Sequence, residues 1–242
     1  ITVAHSPDTE VAGNGVGSDP SLIIKALASD YATTTPFFLS KPAMSGLLGR
    51  AVDILAQGGD KVADVSGMAL GDGIGVWWSE DVLVKYNVVR VGSHANVFGI
   101  SKEGNPLSGD AFTFGGAAGF GFGISVGNIG DGSWVVNNQV KVEASGDLAG
   151  LAEAVTKEDP LVWGETYSVA VGIDNFDSWY TLIEANTVSV DSRSHGSAFA
   201  HELIVPLEAN ALLLGLSLAN GIQVSASAEV EVNANTVHAN SD

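Results

Sequence analysis

Cysteine is absent from the 242 residues, which excludes disulfides, thiolate chemistry and cysteine-based zinc sites and leaves the redox compartment unreadable. Cations are scarce as well: seven lysines and three arginines stand against 28 acids, giving a formal net charge of −18 and a pI near 4.3. Arg50, Arg90 and Arg193 lie far apart and form no basic run. Direct binding of nucleic acid or of an anionic membrane needs a cationic patch, so neither is expected. The acceptor pattern Asn-x-Ser/Thr for N-glycosylation occurs nowhere, although asparagine is frequent. Two uncharged windows, 111–130 and 209–228, reach the length of about 20 residues that a membrane helix needs. Both are rich in Gly, Ser and Asn and alternate like strands, so no transmembrane segment is expected. The first sixteen residues carry His5, Asp8 and Glu10 where a secretory leader needs an apolar stretch. The chain opens on Ile1 without a methionine, which leaves room for residues upstream.

What is present points to a folded chain. Apolar residues make up 45%, ordinary for a soluble globular protein, and the length is ample for a full core. The acids are scattered, as in Asp8, Glu10, Asp53, Asp60, Asp64, Glu143, Asp147, Glu153, Glu158 and Asp159. Scatter of this kind makes a solvated shell, not an acidic tail. The net charge exceeds the magnitude of about 2 to 8 that suits a small domain, and at molar salt the Debye length shrinks to about 3 Å. The surplus is therefore read as adaptation to concentrated salt, with an ordinary acidic protein as the alternative.

Periodicity divides the chain into an N-terminal arm, 1–65, with two helices, and a β domain, 66–242. Asp19-Pro20 opens the first helix, with Leu22, Ile23, Ala26 and Leu27 following. Ser40 and Pro42 open the second, in which Met44, Leu47, Leu48, Ala51, Val52 and Leu55 keep helical spacing and Gly58-Gly59 stops it. From about Gly71 the period is two: Val82, Val84, Tyr86, Val88; Phe120, Phe122, Ile124, Val126; Val140, Val142, Ala144; and Tyr167, Val169, Val171, Ile173. Ile222 to Val232 alternates throughout and predicts one long strand with a wet face. Asp72-Gly73, Gly104-Asn105-Pro106, Asp131-Gly132 and Asn220-Gly221 predict turns, the last a hairpin. A short helix is predicted over Asp147 to Lys157. The pattern predicts a mainly β fold, an antiparallel β-sandwich or jelly roll with an N-terminal helical segment, and a tail-tube-like barrel fits the same string.

No residue group has the spacing a known chemistry requires. Gly123-Ile124-Ser125-Val126-Gly127 matches G-x-S-x-G, but a nucleophile elbow needs a strand, a strained turn and a helix, and Ser125 lies inside an alternating strand. His195, His201, Asp191 and Glu202 form the one His and acid cluster, predicted as a solvated loop, and histidines six apart fit no metal template. Asp174-Asn175-Phe176-Asp177 starts like a calcium loop but lacks the central glycine and distal glutamate, so an Asx turn with at most an incidental cation is expected. Gly13, Gly15 and Gly17 lack the preceding strand and following lysine of a phosphate loop and predict a flexible arm. Trp77-Trp78, Trp134, Trp163 and Trp179-Tyr180 suit a sugar-stacking surface, although packing in a core or interface is the commoner fate of tryptophan. No catalytic residue, metal site or cofactor is expected.

Three functions from different classes follow. Acidic composition, the N-terminal arm and the strand pattern over residues 70 to 235 resemble the single jelly-roll capsid proteins of icosahedral haloarchaeal viruses, without a diagnostic motif. That resemblance implies a non-enzymatic subunit in a virion, assembling with copies of itself and with other structural proteins. A tail-tube or turret protein is a close variant. The second reading is an extracellular or cell-surface filament or adhesin subunit in which residues 1 to 18 are donated as a strand to the next copy. The third, a secreted hydrolase using Ser125, lacks a base and an orienting group.

Overall fold

A computed structural model describes residues 1–4, 10–13, 15–18, 21–29, 33–34, 37–40, 50–56, 61–79, 81–102, 111–127, 132–154, 160–202 and 210–242. Every strand pair is parallel, and the strands form three sheets. The front sheet runs β1 (Thr2–Ala4), β8 (Lys61–Trp77), β11 (Ala111–Gly127), β14 (Leu161–Phe176), β17 (Asn210–Ser225), with β5 (Thr33–Thr34) and β6 (Phe37–Ser40) also on β8. The back sheet runs β19 (Thr236–Ser241), β16 (Thr187–Glu202), β13 (Gln139–Ala154), β10 (Val88–Lys102), β4 (Ser21–Ser29), β7 (Arg50–Ala56), with β3 (Gly15–Ser18) on β10. A narrow edge sheet of three-residue strands joins them: β18 (Glu231–Asn233), β15 (Leu182–Glu184), β12 (Trp134–Val136), β9 (Leu83–Lys85), β2 (Glu10–Ala12).

The chain therefore winds as a solenoid: front strand, edge strand, back strand, and again to the front one layer along. The layers repeat in sequence. Asn87, Asn138, Asn186 and Asn235 open successive back strands at separations of 51, 48 and 49 residues. Stacking in register puts like on like, so Val89, Val140 and Val188 form one column and Val91, Val142 and Val190 the next. Ile74, Ile124, Ile173 and Ile222 form a third on the front sheet. A β-strand turns alternate residues inward, and these columns, with Val84, Val135 and Ile183 from the edge, make the core. A lone coil cannot bury its apolar face, so stability comes from nearest-neighbour stacking.

Between the long strands the interior is filled by small residues. A Cβ on Gly119 would come 2.7 Å from the Ser93 carbonyl oxygen, and one on Gly146 2.6 Å from that of Ala117. Front and back main chains thus approach too closely for any side chain. Hydroxyls bridge the same gap: Thr166 to Ser194 at 2.6 Å, Ser101 to Thr113 at 2.9 Å, and Ser93 to the Ala69 carbonyl at 2.8 Å. Past Gly123 the inward parity of β11 slips by one, from Gly121 to Ile124 and Val126, which is the effect of a bulge. A Cβ there would meet the Gly172 carbonyl oxygen at 2.5 Å and overlap Val140.

The asparagine ladder closes the corner between edge and back strands. Asn138 donates its main-chain N–H and its amide to Asn186 Oδ1 at 2.9 and 3.0 Å, and Asn186 does the same to Asn235 at 2.8 and 3.0 Å. The second amide hydrogen reaches back to the Val84, Val135 and Ile183 carbonyls in turn. Corner residues adopt left-handed conformations layer after layer, with Tyr86, Asn137, Ala185 and Ala234 one step before the ladder.

Several expectations are corrected by this architecture. The fold is mainly β but parallel throughout, not an antiparallel sandwich or jelly roll, because each long strand's neighbour is the strand one coil away. No helix occurs among the described residues. Leu22 to Leu27 lie in strand β4, Ala51 to Leu55 in β7, and 147–154 of the third predicted helix in β13, where Leu148 points inward and Leu151 does not. Met44, Leu47, Leu48, 155–157 and Gly104-Asn105-Pro106 lie outside the described residues. Asp72-Gly73 and Asn220-Gly221 are no turns, since both sit within long strands where the glycine admits a back-sheet valine, Val89 or Val237. Gly132 does turn, with φ +86°. The predicted strand from Ile222 to Val232 breaks at Ala226 and Glu229, both left-handed. Gly15 and Gly17 belong to β3 on β10, not to a flexible arm.

Candidate functional site

The outward face of the front sheet is apolar. Odd positions of β11 and even positions of β14 are buried up to Gly121 and Ala170, which leaves Phe112, Phe114, Phe120 and Phe122 on the outside of β11 and Leu161, Trp163, Tyr167 and Val169 on that of β14. Phe114, Trp163 and Leu212 share one row across three strands. Phe114 lies 6.1 Å from Phe112 and 6.5 Å from Trp163, ring centre to ring centre. β17 adds Leu212, Leu214, Leu216 and Leu218, all 44–58% exposed. Within this face Glu165 accepts a 2.7 Å hydrogen bond from the Tyr167 hydroxyl, and that bond holds the phenol pKa above its ordinary value.

The outward face of the back sheet is polar and charged at the end nearest the edge sheet, with Arg90, Lys141, Glu143 and Asp191, and apolar farther along, where Phe98, Ile100, Leu151 and Phe199 point outward. It carries a depression of about 460 Å³ bordered by His94, Glu143, Asp147, Asp191, Arg193 and His195. Of the predicted His and acid cluster, Asp191 and His195 therefore come together on strand β16, not on a loop. His201 sits farther along the same strand face, and the Glu202 side chain lies outside the described residues. Asp191 is engaged by Arg193 at 2.6 Å. Ser145 donates to Asp147 at 3.0 Å and lies 3.0 Å from His94 Nδ1. Among the described residues no three His, Asp or Glu side chains converge as a metal site.

The narrow edge carries five of the exposed aromatic side chains. Trp78 (56%), Trp134 (51%), Trp179 (55%), Tyr86 (62%) and Tyr180 (47%) all occupy edge strands or the corners beside them. Core packing, the commoner fate expected for these tryptophans, does not hold at Trp78, Trp134 or Trp179. Trp77 instead lies against Gly127 of the next coil, where its ring occupies the space a Cβ would need, and Trp163 is part of the front face.

Ser125 is 5% exposed, inside β11 between Gly75 and Asp174. Its G-x-S-x-G match is one layer of a repeated pattern: Gly73-Ile74-Gly75-Val76, Gly123-Ile124-Ser125-Val126, Gly172-Ile173-Asp174-Asn175 and Gly221-Ile222-Gln223-Val224. Asp174, Asn175 and Phe176 end β14, and Asp177 turns the corner at φ +49°. Asn175 is buried and donates to Ser227. Burial pushes the Asp174 carboxyl pKa up, and its Oδ1 has no hydrogen-bond partner among the described residues. Among the described residues no helix is long and apolar enough to cross a membrane. The face-level contrast escaped sequence reading because it depends on residues about fifty apart. A search for that internal period would have found it. No protein-family model, curated protein or solved structure matches the chain.

Proposed function

We propose that the protein is a non-enzymatic structural subunit that assembles with copies of itself, its front faces packing against each other. The apolar outer face of β11, β14 and β17 carries this reading. Eleven residues of strand at about 3.3 Å each, across three strands about 4.8 Å apart, give about 520 Å² per copy. Two such faces bury about 1,000 Å², the lower bound for a specific interface. A contiguous apolar patch of this size stands at the upper end of what a soluble monomer exposes, and such patches mark interaction sites. Sheets stack face to face readily, and a two-fold arrangement makes the patch its own complement. Charge is concentrated elsewhere: Arg90, Lys141, Glu143, Asp147, Asp191 and Arg193 lie on the back face, whereas on the front Glu165 is held by Tyr167 and exposed Asp72 stands on β8 beside Phe122.

The capsid reading rested on an antiparallel jelly-roll pattern and loses that support. Sedimentation velocity and electron microscopy across protein and salt concentration test the proposal. Dimers or longer particles that strengthen with salt are expected, since a charge of −18 opposes contact until screened. Leu214→Glu with Leu216→Glu should leave the circular dichroism unchanged and abolish face pairing. A folded monomer at every concentration and salt level sinks the reading.

A further inference from the structure

From the aromatic stripe on the narrow edge we infer that this edge is a binding site for a neutral polysaccharide chain. Three observations combine. Trp78, Trp134 and Trp179 are each more than half exposed, on an edge whose strands stack one layer apart. The apolar C–H face of a sugar ring meets the electron-rich face of such rings favourably.

The second observation is how the corners hold these rings. Trp78, Tyr86 and Tyr180 hold φ of 50°, 55° and 51°, the left-handed conformation that Asn137, Ala185, Asp177, Ala226, Glu229 and Ala234 adopt at the equivalent corners of other coils. The conformation is fixed by the winding of the coil, and at these corners the three rings stay 47–62% exposed.

Size and charge choose the ligand. Five strands of three residues cover roughly 24 Å by 10 Å, about 240 Å². A specific protein interface needs about 500 Å² or more per side, whereas a few sugar units of a linear glycan fit such a ribbon. Nucleic acid bases also stack on aromatic rings, but they bring phosphates. Glu10, Asp81, Asp177, Glu184, Glu229 and Glu231 border the stripe. Among the described residues Lys85 is its one cation, and it is 3.3 Å from Glu10. Polyanions are thus repelled, while the same carboxylates can accept hydrogen bonds from sugar hydroxyls.

Intrinsic tryptophan fluorescence and calorimetry on the full chain would use cellohexaose, chitohexaose and laminarihexaose as probes, with heparin and single-stranded DNA as polyanionic comparisons. At least one neutral hexaose should bind and shield the exposed tryptophans from acrylamide. Trp134→Ala and Trp179→Ala should each weaken binding about tenfold. Trp78→Gly and Tyr180→Gly should lose affinity about tenfold while keeping the far-UV circular dichroism of the parent, since glycine is permitted at a left-handed corner. A merely structural role would move both readouts downward together. Binding by none of the three hexaoses, unchanged affinity in Trp78→Gly, or tighter binding of the polyanions would overturn the site. Leu214→Glu with Leu216→Glu should leave glycan binding intact, which separates this site from front-face assembly.

Discussion

Asn186→Ala is the perturbation that tests most directly what holds the coils in register. Asn186 Oδ1 accepts from the Asn138 main chain at 2.9 Å and from its amide at 3.0 Å, and the Asn186 amide donates to Val135 O at 2.8 Å and Asn235 Oδ1 at 3.0 Å. Alanine removes all four bonds. Two donors of Asn138 then face a gap where an acceptor stood, and Asn138 is 1% exposed, so water does not replace it. A buried polar group stripped of its partner costs about 1–3 kcal/mol, so the two together predict a loss of about 4 kcal/mol. Asn235→Ala strips the equivalent two donors of Asn186, itself 1% exposed, but the space that the partly buried Asn235 vacates borders solvent, so water can take the acceptor's place. Its predicted loss is about 1–2 kcal/mol. Urea unfolding followed by far-UV circular dichroism would compare the two variants with the parent. A loss below about 1 kcal/mol for Asn186→Ala, or equal losses for both, would refute the view that buried amide bonds lock the coils.

Gly123→Ala should destabilise by about 3 kcal/mol, since its Cβ meets a carbonyl of the next coil and Val140. Gly116→Ala, with nothing nearer than Ser66 Cβ at 3.5 Å, should stay within about 0.5 kcal/mol in the same melts. Asp174→Asn probes pH dependence. The folded Asp174 pKa is raised by burial, so the native state binds the proton more tightly than the unfolded chain, and ionisation destabilises the fold as pH rises from the ordinary carboxylate range through the raised value. The asparagine variant should therefore melt higher than the parent at neutral pH, with the advantage fading in acid below the ordinary carboxylate pKa. An advantage that persists unchanged in acid would show that ionisation is not its cause.

Strand content was readable because period-two alternation is local. Val140, Val142 and Ala144 point inward as their spacing predicts, and Ser125 sits inside a strand and not on an elbow. The helices failed for the same reason that the strands succeeded. Leu148, Leu151 and Ala152 match helical spacing by composition alone, and stacking against β10 and β16 overrides that preference. Glycine was misread most often. Gly73 and Gly221 were given to turns, whereas each makes room for a valine of the opposite sheet, a need visible only when two distant segments are side by side.

Amino-acid order alone determined that the chain is β-rich, strongly acidic and free of thiol chemistry, since these follow from composition and from neighbours a few residues apart. Parallel winding, the apolar front face, the asparagine ladder and the exposure of Trp78, Trp134 and Trp179 were decided by tertiary structure. Each depends on which residue of one coil lies over which residue of the next, and that register is set by packing and hydrogen bonds between positions about fifty residues apart.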